Sequence, residues 1–115
     1  MAKELIKVNE NWSVNRCIKE IRSQASEVTR VHSVYVVNNK NVLLGRLSLK
    51  DLLVAEAGSK IKTIFISNVD FVFDTDSAEH VASVMQNYDL GAIPVVDAKK
   101  KLLGRSTIDD IVDLI

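Results

Sequence analysis

The chain states one pattern twice. Residues 34–53 read VYVVNNKNVLLGRLSLKDLL and residues 93–112 read IPVVDAKKKLLGRSTIDDIV. At an offset of 59 positions the two agree at Val36/Val95, Val37/Val96, Lys40/Lys99, Leu43/Leu102, Leu44/Leu103, Gly45/Gly104, Arg46/Arg105 and Asp51/Asp110. Ser48/Thr107 and Leu52/Ile111 are close in kind. Such a repeat implies one supersecondary unit copied, each copy burying its apolar face against the other. Two related halves place a pocket at their junction, which suits binding better than a single catalytic centre. A chain of 115 residues holds one domain of this kind, or two small units that share a core.

The same order of local signals runs through each copy. In the first, Ser13 is placed to cap a helix whose apolar residues Val14, Cys17, Ile18 and Ile21 fall at helical spacing. Val34–Val37 is a β-branched run, Asn38–Asn41 is a turn by composition, and Val42–Leu47 reads as the returning strand. Ser48 then opens a short helix with Leu49, Leu52 and Leu53 expected inward. In the second, Phe71–Phe73 reads as an edge strand, and Asp76-Ser77-Ala78-Glu79 as a helix start with Glu79 at the reach-back position. Ala78, Val81, Ala82 and Met85 face inward on that helix. Ile93–Val96 and Leu102–Arg105 pair around Asp97–Lys100, and Thr107 starts a last helix that runs to Leu114.

The expected architecture is therefore α/β (α+β), with strand–helix–strand–strand–helix twice, over residues 1–58 and 59–115. Ala57–Ser67 joins the copies, with the break at Gly58 and Ser59 and a turn of helix at Ile61–Phe65. The first copy carries about five extra residues around Glu27–Arg30.

Composition removes several classes of function. Lys+Arg and Asp+Glu both number 15, so no net field draws in nucleic acid or a membrane surface. Aromatics are only 5%, too few for a basic stripe interleaved with stacking residues. The single cysteine, Cys17, excludes an internal disulfide framework, fits a reducing compartment and reads as a buried small hydrophobe. No apolar run approaches the roughly 20 residues of a membrane helix, and no signal-peptide core stands at the start, so the fragment is expected to be soluble. His32 and His80 lack partners at metal-ligand spacing, and Trp12 reads as packing. Nothing supplies a nucleophile with its base and orienting group, so an enzyme is the class with least support.

Chemistry gathers in one motif, G-x-x-[ST]-x-x-D, present as Gly45, Ser48, Asp51 and as Gly104, Thr107, Asp110. A glycine ending a strand lets another group approach the backbone. A hydroxyl at a helix N-terminus sits where free N–H groups attract phosphate. A carboxylate one turn on can accept both hydrogens of a ribose diol. The same four-residue pattern is also a capping box, which needs no ligand. Its presence twice, at equivalent points of a repeat and each time with the strand glycine, favours the ligand reading.

On these residues the chain resembles a tandem cystathionine-β-synthase-type (CBS) domain pair, or Bateman module. The run PVVDAKKKLLGRSTIDDI carries most of that resemblance, which covers nearly the whole chain. The stretches YVVNNKNVLLGRLSLKDLLVAE and DTDSAEHVASVMQNYDLGAIPVVD further resemble the cytosolic CBS pair of MgtE-type magnesium transporters. The resemblance implies two repeats related by a pseudo-two-fold axis, a homodimer, and an adenine nucleotide such as ATP in the cleft between repeats. It also implies Mg²⁺ on acidic residues, and gating of a transporter at the cytoplasmic face of the membrane. Its N-terminal and transmembrane domains would be the module's partners.

The two copies differ where a ligand would sit. Lys50 precedes Asp51, whereas Asp109 precedes Asp110, and a lysine beside a phosphate attracts it while an aspartate repels it. ATP is therefore assigned to the first copy through Ser48, Lys50 and Asp51, with Ser33, Tyr35 and Val36 beside it. Asp89 and Leu90 line the same cleft by resemblance, and Thr107 and Asp110 form the second motif. Where the family shows an aromatic and an arginine, this chain has Leu90 and Lys50, which removes a stacking partner and a bidentate fork. Asp109, Asp110 and Asp113 form an acidic face that, with Asp89 by resemblance, would hold magnesium. Mg²⁺ keeps several waters and needs only one or two carboxylates, although such a face is equally an ordinary solvated one. The alternatives are a nucleotide-sensing CBS pair attached to another enzyme or channel, and a structural dimerisation unit.

Overall fold

The structure, a computed structural model, describes residues 5–25, 34–87 and 92–107. They form two compact units, Leu5–Val69 and a second that takes in the chain from Asp70, each with its own three-stranded sheet.

In the first unit the order is β1 (Ile6–Asn9), α1 (Val14–Ala25), β2 (Val34–Val37), β3 (Leu43–Leu47) and α2 (Leu49–Val54). β1 pairs parallel with β2, and β2 antiparallel with β3. A parallel pair needs a crossover, and α1 supplies it. The second unit repeats this with β4 (Val72–Phe73), α3 (Ala78–Asn87), β5 (Ala92–Val96) and β6 (Leu102–Thr107). The class is mixed α/β, as expected. Thr107 closes β6 opposite Ala92, and the last helix expected after it lies outside the described residues.

The sequence repeat is reproduced bond by bond in the hairpins. Val36 stands opposite Gly45 and Val95 opposite Gly104, and each ladder slips at the next residue. Asn38 Oδ1 accepts from the Lys40 and Val42 N–H groups at 2.9 and 3.0 Å. Asp97 Oδ1 accepts from those of Lys99 and Lys101 at 2.8 and 2.9 Å. Asn41 and Lys100 both adopt the left-handed conformation, at φ 64° and 65°. In the parallel pairs Val8 matches Val36 while Val72 matches Val95. Val8 and Val72 are 64 positions apart but Val36 and Val95 only 59. The first copy's five extra residues therefore fall between β1 and β2; the expected place around Glu27–Arg30 lies outside the described residues.

Helix starts follow local side-chain chemistry. Ser13 Oγ accepts from the Arg16 N–H at 3.2 Å, the expected cap of α1. The helix α3 begins at Ala78, and Ser77 caps it by accepting from the His80 N–H at 3.1 Å. Glu79 is therefore one residue short of the reach-back position. The Asp76 carboxylate instead accepts from the Phe73 N–H at 2.8 Å and ties the loop back to β4.

The expectation for α2 needs a second correction. Leu52 is buried in the first core, but Leu49 is 47% and Leu53 79% exposed. The spacing does put all three on one face, but a helix of six residues is too short for that face to be covered along its length, and only Leu52 reaches the core.

The connecting residues are built onto the first unit. Val14 donates to the Ser59 carbonyl at 2.8 Å, Asn15 to that of Ala57 at 3.2 Å, and Ile61 to that of Trp12 at 2.9 Å. A single 3₁₀ turn forms at Ile61–Thr63, within the stretch expected to be helical. Ile61 is fully buried among Val14, Cys17 and Leu52 in the first core.

Candidate functional site

The G-x-x-S-x-x-D motif of the first repeat spans the end of β3 and the start of α2. Gly45 sits in the middle of β3 rather than at its end. A Cβ there would overlap the Ile66 carbonyl oxygen and the Phe65 ring. Arg46 and Ile66 exchange two backbone hydrogen bonds, at 2.9 Å from the Arg46 N–H and 2.8 Å from the Ile66 N–H. The group that this glycine admits is therefore the chain's own connector, not a ligand. Comparing the two matched runs, 34–53 and 93–112, could not reveal this, because Ile66 lies in neither.

Ser48 is the N-cap of α2, at φ −77° and ψ 129°, and its Oγ accepts from the Asp51 N–H at 3.4 Å. The capping role is thus realised, with a longer bond than the serine caps of α1 and α3 make. A hydroxyl that accepts still has its own O–H to donate. Lys50 and Asp51 are exposed on the first turn. These three residues bring a hydroxyl, an ammonium and a carboxylate together on one turn of chain, a donor set that fits the phosphates and ribose of a nucleotide.

The strand residues behave differently. Val36 is fully buried and its side chain belongs to the first core. Tyr35 is also buried, opposite Arg46 in the ladder. Neither side chain lies on the surface that Lys50 and Asp51 share. Ser33, Asp89, Leu90, Asp109, Asp110 and Asp113 lie outside the described residues, as does the side chain of Thr107. Among the described residues no three His, Cys, Asp or Glu side chains come together as a metal site.

Burial pushes the Cys17 thiol up to about 11, so it is neutral at physiological pH and packs as a small apolar group, as its sequence context implies. Arg16 stacks over the Trp12 ring at 4.2 Å, and that ring packs against the first core. His80 lies 3.8 Å from Asp76, one helical turn back, on the surface.

The family model for the CBS domain matches residues 1–58 and again 61–115. The chain is a tandem pair of CBS domains. Its 115 residues are 34% identical to part of the magnesium transporter MgtE of Thermus thermophilus, and 36% identical to part of that of Enterococcus faecalis. Each match takes in the whole of this chain but only 26% and 25% of the relative. The CBS pair thus spans about a quarter of the curated relatives' length. Its fold is similar to the crystal structure of the cytosolic domain of the Mg²⁺ channel MgtE in complex with ATP. The TM-score is 0.85 at 34% identity, over 97% of this chain and 45% of that one. Among the described residues no helix is long and apolar enough to cross a membrane.

Proposed function

We propose that this CBS pair is the regulatory module of a magnesium transporter, held at the cytoplasmic face of the membrane, and that it senses an adenine nucleotide through its first repeat. The observation that carries the nucleotide assignment is the Ser48–Lys50–Asp51 turn, with Lys50 and Asp51 exposed beside the half-buried Ser48, on a chain similar at 34% identity to a domain solved with ATP. In this reading Asp51 accepts from the ribose hydroxyls, Lys50 neutralises phosphate, and the Ser48 hydroxyl donates to a phosphate oxygen. Val36 serves as core beneath the site, and Tyr35 supports the strand that leads to it. The repeat that carries Asp109 before Asp110 is the weaker phosphate site.

Magnesium is assigned to Asp89, Asp109, Asp110 and Asp113. Cations on these carboxylates would relieve their mutual repulsion and favour a closed arrangement of the transporter, acting only through their different affinity for its states. The module regulates rather than catalyses, and does so as a homodimer attached to the transporter's N-terminal and transmembrane domains.

Calorimetric titration of the chain with ATP, with and without Mg²⁺, tests the nucleotide site. Saturable binding is expected, with the Kd raised about tenfold or more in Asp51→Ala, because hydrogen bonds to a charged group are lost. Equal affinity in wild type and variant would reject the site. For magnesium, Asp110→Asn and Asp113→Asn should blunt the Mg²⁺ response of the intact transporter, and an unaltered response in both would reject those ligands.

A further inference from the structure

We infer that the connector of residues 59–66 is a strap whose seating on β3 is linked to occupancy of the Ser48–Asp51 site; this rests on the nucleotide reading above and adds the element that controls it. The reasoning starts at Gly45. A strand interior is a poor place for glycine, which weakens pairing and offers no side chain to the core. Here its lack of a Cβ leaves room for the Ile66 carbonyl oxygen and the Phe65 ring.

The strap is fastened along its whole length. Its first end covers the start of α1, where the Ser59 carbonyl accepts the Val14 N–H, and the Ile61 and Lys62 N–H groups donate to the Trp12 and Glu10 carbonyls, both at 2.9 Å. In its middle, Ile61 is fully buried in the first core. At its far end Ile66 and Arg46 exchange two backbone hydrogen bonds, and the Arg46 Nε donates to the Asn68 carbonyl at 3.3 Å. Arg46 is only two residues before Ser48 and five before Asp51. The strand end that aims the ligand-binding turn is therefore held from outside by the strap and from inside by β2.

Two states follow. With the strap seated, β3 ends where Ser48 caps α2 and Asp51 is presented on the first turn. With it lifted, Arg46 loses both backbone partners and the strand end frays, as exposed edge segments do. A ligand that needs the turn in its seated geometry binds one state better, and by reciprocity its binding holds the strap down. Gly45 and Ile66 are in this sense positioning residues that need not touch the nucleotide.

Amide hydrogen exchange on the whole chain, with and without MgATP, decides the matter. The Arg46 and Ile66 amides should gain protection on binding, and by a larger factor than the Asp97 and Lys100 amides of the other hairpin. Gly45→Ala should raise the Kd for ATP about 5- to 150-fold, the usual span of such coupling. Gly58→Ala, at a glycine with open space around it, should leave it unchanged. If Gly45→Ala fails to fold, the wild-type exchange result stands alone. Binding in calorimetry without added protection at Arg46 and Ile66, or an unaltered Kd in folded Gly45→Ala, would overturn the strap and leave the nucleotide site intact. Absence of any binding to the wild-type chain would overturn both.

Discussion

The two hairpins share a register, a bulge, a side-chain-capped turn and a left-handed residue, yet the arginine after their matched glycines meets opposite surroundings. Arg46 is exposed, with its backbone tied to Ile66. Arg105, its counterpart, is only 7% exposed. Identical letters at equivalent points of a repeat thus carry identical local structure but not identical environment. Turns and ladders are set by residues two to four apart, which the repeat copies. Burial is set by whatever packs on from elsewhere in the chain, which it does not copy.

The sharpest way to break this comparison is at the first glycine. Gly45→Ala should destabilise the protein by about 3 kcal/mol, the upper part of the usual range for overpacking, because the obstructing Ile66 oxygen is backbone and cannot swing aside. Gly58→Ala meets no atom within contact distance and does not sit at positive φ. It should be neutral or stabilise by about 0.5 kcal/mol through the unfolded chain. Urea unfolding of both variants checks the contrast, and a similar small effect at each would mean that the connector yields easily to a methyl group.

The arginines come next. Arg105→Ala removes a long stem and a guanidinium from a buried position and should cost about 2 kcal/mol or more. Arg46→Ala leaves both backbone bonds to Ile66 in place and loses one exposed bond to Asn68, for about 0.5 kcal/mol or less. Equal losses would show that the repeat, after all, dictates environment as well as conformation.

These contrasts mark where the sequence can be read and where it cannot. Both hairpins and the serine cap of α1 follow from short-range patterns, and all are present. Glu79 falls one position off its expected role because Asp76 and Ser77 are both good caps, and periodicity does not choose between them. Apolar residues at helical spacing mark a face, which points Leu49 and Leu53 inward, but a six-residue helix has too little length to define one. The purpose of Gly45 is invisible in the repeat, since its neighbour Ile66 lies 21 positions on and in neither hairpin. Of the candidate site, Ser48, Lys50 and Asp51 share one turn because their spacing is itself local. Val36 is core because a central strand is covered on both faces, a fact of packing rather than of motif.

The smallest effect tests the likeness of the turns themselves. Asn38 and Asp97 make the same two bonds, and the distances at Asp97 are shorter by 0.1 Å each. An ionised acceptor makes stronger hydrogen bonds than an amide. Asp97 is also followed by Lys99, Lys100 and Lys101, whereas the turn after Asn38 holds Lys40 alone. Asp97→Asn should therefore cost about 0.5 kcal/mol at low salt, and less at high salt as screening removes the attraction of the lysines. Asn38→Asp should gain a smaller amount, because that turn holds Lys40 alone, and the one further lysine beside it, Lys7, already donates to the Asn41 side chain at 2.9 Å. Thermal unfolding across a salt series separates the two contributions. Losses and gains that match in size and ignore salt would mean that hydrogen-bond geometry alone, common to both copies, governs the turns. A salt-dependent Asp97→Asn beside a nearly silent Asn38→Asp would instead put the difference in the flanking charges, on the same backbone.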